Sequence, residues 1–265
     1  LVLAGLNALF ATHVAAQNKA HLASMVNLGL PIANLGLALL GGADGADMGL
    51  RLLAIGGLTT ALFLPLLLGR PSGAAQPSQA TPRPSHPMYH ATPDGRAWAA
   101  VFTARFFVQL SGALLLTFAQ PYLAAILSDA TAVTQTLLYM VTFAAALSLP
   151  MALGAARLAA WRSNPLSLLQ VAAIALGLAM ALLAIAPPAW VIVLCYAIFM
   201  AALVSYLAID TAVVAQWLAT SPKVATHLGL MNLANTMPGI VIPALLLSIG
   251  GAAARGLSGA FALTA

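Results

Sequence analysis

The sequence predicts an all-α, polytopic membrane protein, and three observations carry that prediction. Apolar residues make up 62% of the 265-residue chain and charged residues only 6%. A soluble domain shows water a surface with on the order of 25% charged residues. Seven stretches have the roughly 17 to 25 apolar residues that a helix needs to cross hydrocarbon. One of these stretches also repeats, since His21-Leu22-Ala23-Ser24-Met25 returns 206 positions later as His227-Leu228-Gly229-Leu230-Met231. Each copy opens a hydrophobic segment with asparagines and a proline: Asn27, Pro31 and Asn34 in the first, Asn232, Asn235 and Pro238 in the second. That is the pattern of a membrane unit duplicated in one orientation.

Taken in order, a partial span at 1 to 16 opens in mid-hydrophobic run with no basic leader before it. Full spans follow near 22 to 42, 50 to 69, 99 to 124, 132 to 153, 166 to 186, 189 to 212 and 228 to 248, and a second partial one at 256 to 265. Because it starts and stops inside apolar runs, the chain reads as an internal piece of a longer membrane protein. Alternating the loops puts Lys19, Arg70, Arg83, Arg96, Arg157, Arg162 and Lys223 on one side, with Asp94 the lone acid there. The other side receives Arg51 and Arg255 with Asp44, Asp47 and Asp129. The basic side is therefore expected to be cytoplasmic. Trp98, Trp161, Trp190 and Trp217 fall at span ends, where an indole is expected to sit among headgroups.

The matching helices are the first and seventh complete spans, so the repeat is six helices long and parallel. Residues 70–97, with Pro71, Pro77, Pro82, Pro84, Pro87 and Pro93 among small polar residues, form an extended linker between the halves.

Local runs agree with this layout. Ala104-Arg105-Phe106-Phe107 through Gln120-Pro121-Tyr122, Ala208-Ile209-Asp210-Thr211-Ala212, and His227 through Pro238 (HLGLMNLANTMP) resemble the seventh, tenth and eleventh helices of the major facilitator superfamily. The last of these is similar to the corresponding stretch of sucrose-type transporters. The resemblance implies two pseudo-symmetric bundles, the N-terminal one incomplete. Residues 1–69 would supply helices 4 to 6, 70–97 the central cytoplasmic loop, and 98–265 helices 7 to the start of 12. It also implies a secondary active transporter, working by alternating access on a small polar solute such as a sugar, with proton symport as the expected coupling. The run Gly154-Ala155-Ala156-Arg157-Leu158-Ala159-Ala160-Trp161-Arg162 departs from the family by keeping arginines without the usual acid. A multidrug or metabolite exporter of the same superfamily and a non-transporting remnant stand as alternatives.

A polar side chain facing lipid costs free energy, so polar residues gathered on one helical face should point at a cavity or at another helix. Three spans carry such stripes: Arg105, Gln109, Gly112, Leu116 and Gln120; then Gln135, Tyr139 and Thr142; then Tyr196, Phe199, Leu203, Tyr206 and Asp210, continued by Trp217. As a pore wall they would offer tyrosine rings for stacking and amides for hydroxyls. As packing they would hydrogen-bond between helices for roughly 0.6 kcal/mol each. On the first reading Gln109, Gln120, Tyr139, Tyr206 and Asn235 contact the substrate.

Arg105 and Asp210 are the charges placed well inside predicted spans, where each costs on the order of 3 kcal/mol unless paired or hydrated. Both lie roughly two turns from the cytoplasmic end of their helices. Equal depth allows a salt bridge, and a coupling or gating switch if Asp210 takes up a proton when Arg105 moves away. The alternative sends Arg105 to lipid phosphate and Asp210 to Lys223 or water. Asn27, Asn34, Asn232 and Asn235, beside Pro31 and Pro238, can satisfy carbonyls that proline frees; Asn235 with Thr236 is the better substrate contact.

Other chemistries lack material. Cys195 is the one cysteine, the five carboxylates are all aspartates, and His13, His21, His86, His90 and His227 have no zinc-site spacing. No metal and no cofactor is expected. No Gly-Lys-Ser or Gly-Lys-Thr phosphate loop is present. The net charge of +5 is scattered among short loops and makes no nucleic-acid stripe. A lone buried carboxylate is poor material for an intramembrane enzyme. The expected partners are a small solute, protons and the lipid bilayer, for a monomer in a bacterial inner membrane.

Overall fold

A computed structural model describes residues 95–161, 165–220 and 224–249, and all its regular structure is helical. Five helices follow one another: α1 Gly95–Ile126, α2 Ala130–Trp161, α3 Pro165–Ala184, α4 Ala189–Thr220 and α5 Val224–Ile249. Four of them, over Gly95–Ile126, Ala130–Ala155, Leu166–Ala184 and Ala189–Val214, are long and apolar enough to cross a membrane. The first repeat copy, the spans near 22 to 42 and 50 to 69, and the linker up to residue 94 lie outside the described residues. So does the final partial span.

Local chemistry sets the helix ends. Asp129 caps α2: its carboxylate accepts hydrogen bonds from the amides of Thr131 at 3.0 Å and Ala132 at 3.3 Å. Its backbone oxygen accepts from Val133 at 3.0 Å, the first bond of the helical ladder, so the carboxylate satisfies two N–H groups that the ladder leaves open. Proline stands at the first position of α3, where its missing N–H costs nothing. After α3 the chain turns through Ala186 at φ 49°, a left-handed conformation that places its amide 3.2 Å from the carbonyl oxygen of Leu183. Pro187 and Pro188 then end any continuation, and the Pro188 carbonyl accepts from Val191 and Ile192 at 2.9 and 3.1 Å to start α4.

α4 is the central helix, buried over most of its apolar length and packed along α2 and α3. Small residues allow close approach: Ala144, Ala145 and Ala152 on α2 are 0% exposed, and Ala197, Ala201 and Ala208 on α4 are also buried. Phe199, Met140, Met180, Leu183 and Ile192 fill the space around them. α1 lies instead along α5, and the pair α1–α5 approaches α2 and α4 less closely than α4 approaches α2 and α3.

The outside of this bundle is apolar. On α3, Val171, Ile174 and Leu178 are each more than 60% exposed, at the spacing of a single helical stripe. A helix in water would carry polar residues there; this one is apolar all round, as membrane helices are.

Candidate functional site

The polar groups of the core collect where α1 meets α4 and α5. Arg105 is ten residues into α1 and Asp210 ten residues before the end of α4, about 15 Å along each helix. Both sit deeper than the two turns expected from the hydrophobic windows, because each helix continues past its apolar window at that end. Their depths match, and they meet: the Arg105 Nη2 and Nε atoms both bond Asp210 Oδ2. The pair is almost sealed, with Asp210 1% and Arg105 6% exposed. Each charge thus satisfies the other in a place where neither can be hydrated. The sequence left this bridge open beside the snorkelling alternative; among the described residues the bridge forms.

One turn further along α1, Gln109 Nε2 donates to Asn235 Oδ1 of α5 at 3.3 Å. At Gly112, the next position of the same stripe, a Cβ would come within 3.1 Å of Leu203 Cδ2 on α4. A side chain at this position would press on Leu203. Tyr206, one turn before Asp210, is 4% exposed, and its hydroxyl lies within electrostatic reach of both Asp210 and Arg105. Arg105, Gln109, Tyr206, Asp210 and Asn235 thus form a half-sealed polar seam between three apolar helices.

The remaining candidates lie elsewhere. Leu116 and Gln120 continue the α1 stripe on paper but are exposed. Gln135, Tyr139 and Thr142 share an exposed face of α2, with the Tyr139 ring 55% open and Phe143 beside it 57% open. The α4 stripe of Tyr196, Phe199, Leu203, Tyr206 and Asp210 is buried throughout.

Most buried hydroxyls make no helix-to-helix bonds of their own. Ser111, Ser148 and Ser205 donate to Val108, Ala144 and Ala201 within their own helices. Thr236 likewise donates to the Asn232 and Leu233 carbonyls in the turn around Pro238, leaving Asn235 to bond across to α1. Tyr122 crosses helices: its hydroxyl donates to the Leu183 carbonyl at the end of α3. Sequence reasoning missed this tie, for which an aromatic ring next to Pro121 gave no signal.

The tryptophans need one correction. Trp190 is 71% exposed at the start of α4, as a headgroup anchor would be. Trp98 is 4% exposed. It stacks on the His227 ring of α5, centroids 4.0 Å apart, and meets the Trp217 ring of α4 edge to face at 5.6 Å. It is buried because the starts of α1 and α5 and the end of α4 converge there, with Val214, Leu218 and Met231 packed around the rings. The Trp161 side chain lies outside the described part.

Among the described residues, no group of His, Cys, Asp or Glu gathers as a metal site would. No protein-family model matches the chain, and comparison with curated proteins and with solved structures gives no match either.

Proposed function

We infer that the chain belongs to a secondary transporter of the major facilitator type, moving a small polar solute of the sugar class by alternating access with proton coupling. The observation that supports this reading best is the buried Arg105–Asp210 pair. A sealed ion pair adds little net stability, because desolvation of both charges offsets their attraction. Charges inside membrane helices commonly mark ion and proton paths. In this reading Asp210 is ionised while Arg105 faces it and takes up a proton when α1 moves away, and Tyr206 lies at hand on the same helix. The amide pair Gln109–Asn235, one turn away, offers donors and acceptors for hydroxyls once it parts. The exposed Gln120 and Tyr139 belong to the rest of the solute path.

The test uses the full-length protein in vesicles with an imposed pH gradient and a panel of radiolabelled mono- and disaccharides. Wild type is expected to accumulate one of them. Asp210→Asn is expected to abolish accumulation and retain exchange, because exchange needs no net proton movement. Accumulation by the Asn variant at the wild-type level removes Asp210 from coupling, and absence of uptake by wild type favours the remnant or exporter reading.

A further inference from the structure

The contacts between helices divide the described part unevenly. α1 runs along α5, while α4 runs along α2 and α3, and fewer close backbone approaches join the two groups along the seam between them. At one end of that seam α1 is held twice, by the three-residue connection Leu127-Ser128-Asp129 into α2 and by the Tyr122 hydroxyl on the Leu183 carbonyl. In the middle lie the Arg105–Asp210 pair and the close approach of Gly112 to Leu203. At the other end the Trp217 ring of α4 meets the Trp98 ring of α1, which is in turn stacked on His227 of α5.

We propose that α1 and α5 swing as one body against α2, α3 and α4, hinged at the Tyr122 end, with the Trp98–Trp217 contact as the clasp that opens first. Three features support this. Within the pair, the Trp98–His227 stack and the Gln109–Asn235 bond tie α1 to α5 at two levels, so the two helices travel together. Across the seam, the apolar core that α1 shares with α2, α3 and α4 runs from Val108 to Leu123, the hinge half of the helix, and nearer the clasp the ties are the Arg105–Asp210 pair and the small cluster around Trp98. The clasp also stands 24 residues of helix from Tyr122, about 36 Å, so a small rotation at the hinge gives its largest displacement there. The same rotation then withdraws Arg105 from Asp210. This motion deepens the transport reading and rests on it for its purpose; the motion itself is tested without any solute.

Spin-label pairs on the full chain in lipid nanodiscs, in a Cys195→Ser background, read the distances. Arg96→Cys with Leu158→Cys spans the seam at the clasp end. Arg96→Cys with Thr226→Cys lies within the moving pair. Ala125→Cys with Ile185→Cys spans the seam at the hinge end. All five positions are exposed. The clasp-end pair is expected to show two distance populations. Trp217→Ala, which leaves the Trp98–His227 stack in place, should raise the longer one between about twofold and about tenfold, the range an edge-to-face ring pair contributes to an equilibrium. The within-pair and hinge-end distances should stay single and unchanged. Asp210→Asn is the second variant and should shift the same population the same way. A single, unaltered clasp-end distance in wild type and both variants overturns the proposal, as does a within-pair distance that changes as much as the clasp-end one. Loss of sugar uptake with these distances behaving as expected would count against the transport reading alone.

Discussion

Breaking the Arg105–Asp210 pair one side at a time should cost far more than removing both sides together. In Asp210→Leu the Arg105 guanidinium stays at 6% exposure with no carboxylate, and it cannot shed its charge. The cost expected for an orphaned buried charge is about 3–5 kcal/mol. In Arg105→Leu the orphan is the Asp210 carboxylate at 1% exposure, which can relieve its own penalty by binding a proton. That variant should therefore be the milder of the two near neutral pH. The double variant Arg105→Leu/Asp210→Leu leaves no charge to desolvate and should fall within about 2 kcal/mol of wild type. Reversible unfolding in mixed micelles, followed by helical circular dichroism as the denaturing detergent fraction rises, gives all four free energies. The coupling energy is the sum of the two single losses minus the double loss. It should amount to several kcal/mol and change little with salt, because mobile ions do not reach a sealed pair. Additive losses, with the double variant as unstable as the singles combined, would refute the argument that these charges satisfy each other.

Four further outcomes follow from the same packing. Gly112→Leu should destabilise the bundle by about 1–3 kcal/mol through overpacking against Leu203, and Leu203→Ala should recover part of that loss in the same unfolding assay. Tyr122→Phe leaves the Leu183 carbonyl without its hydroxyl donor and should lower stability by about 1 kcal/mol; unchanged stability would show the tie to be idle. Ala186→Gly should stabilise by about 0.5–1 kcal/mol, because a left-handed φ of 49° strains alanine and not glycine, as a shifted thermal midpoint would report. In a Cys195-free background, a water-soluble thiol reagent should label Gln120→Cys and Tyr139→Cys and spare Tyr206→Cys in the resting protein; rapid labelling of the last would show that α4 opens to water.

The sequence alone determined that the described part of this chain folds as long apolar helices, and nearly where. The reason is solvent: a backbone in hydrocarbon must satisfy every N–H and C=O within the segment, so a long apolar run has few options besides a helix. Its boundaries fell short at the polar ends, where α1 starts at Gly95, α2 runs on to Trp161 and α4 to Thr220. Hydropathy ends where the apolar residues end, whereas the hydrogen-bonding ladder continues into the polar ones. Depth was legible too, which is why Arg105 and Asp210 could be matched in advance.

Tertiary structure decided azimuth. Periodicity tells which residues of one helix share a face, but not which neighbour that face meets. Gln109 and Gln120 looked alike in sequence, yet one bonds Asn235 and the other is exposed. Trp98 and Trp190 both stood at span ends, yet one is sealed between α4 and α5 and the other is open. That α4 packs along both α2 and α3 while α1 lies along α5 likewise came from packing alone. Small residues such as Ala144, Ala152 and Ala201 let α2 and α4 approach closely.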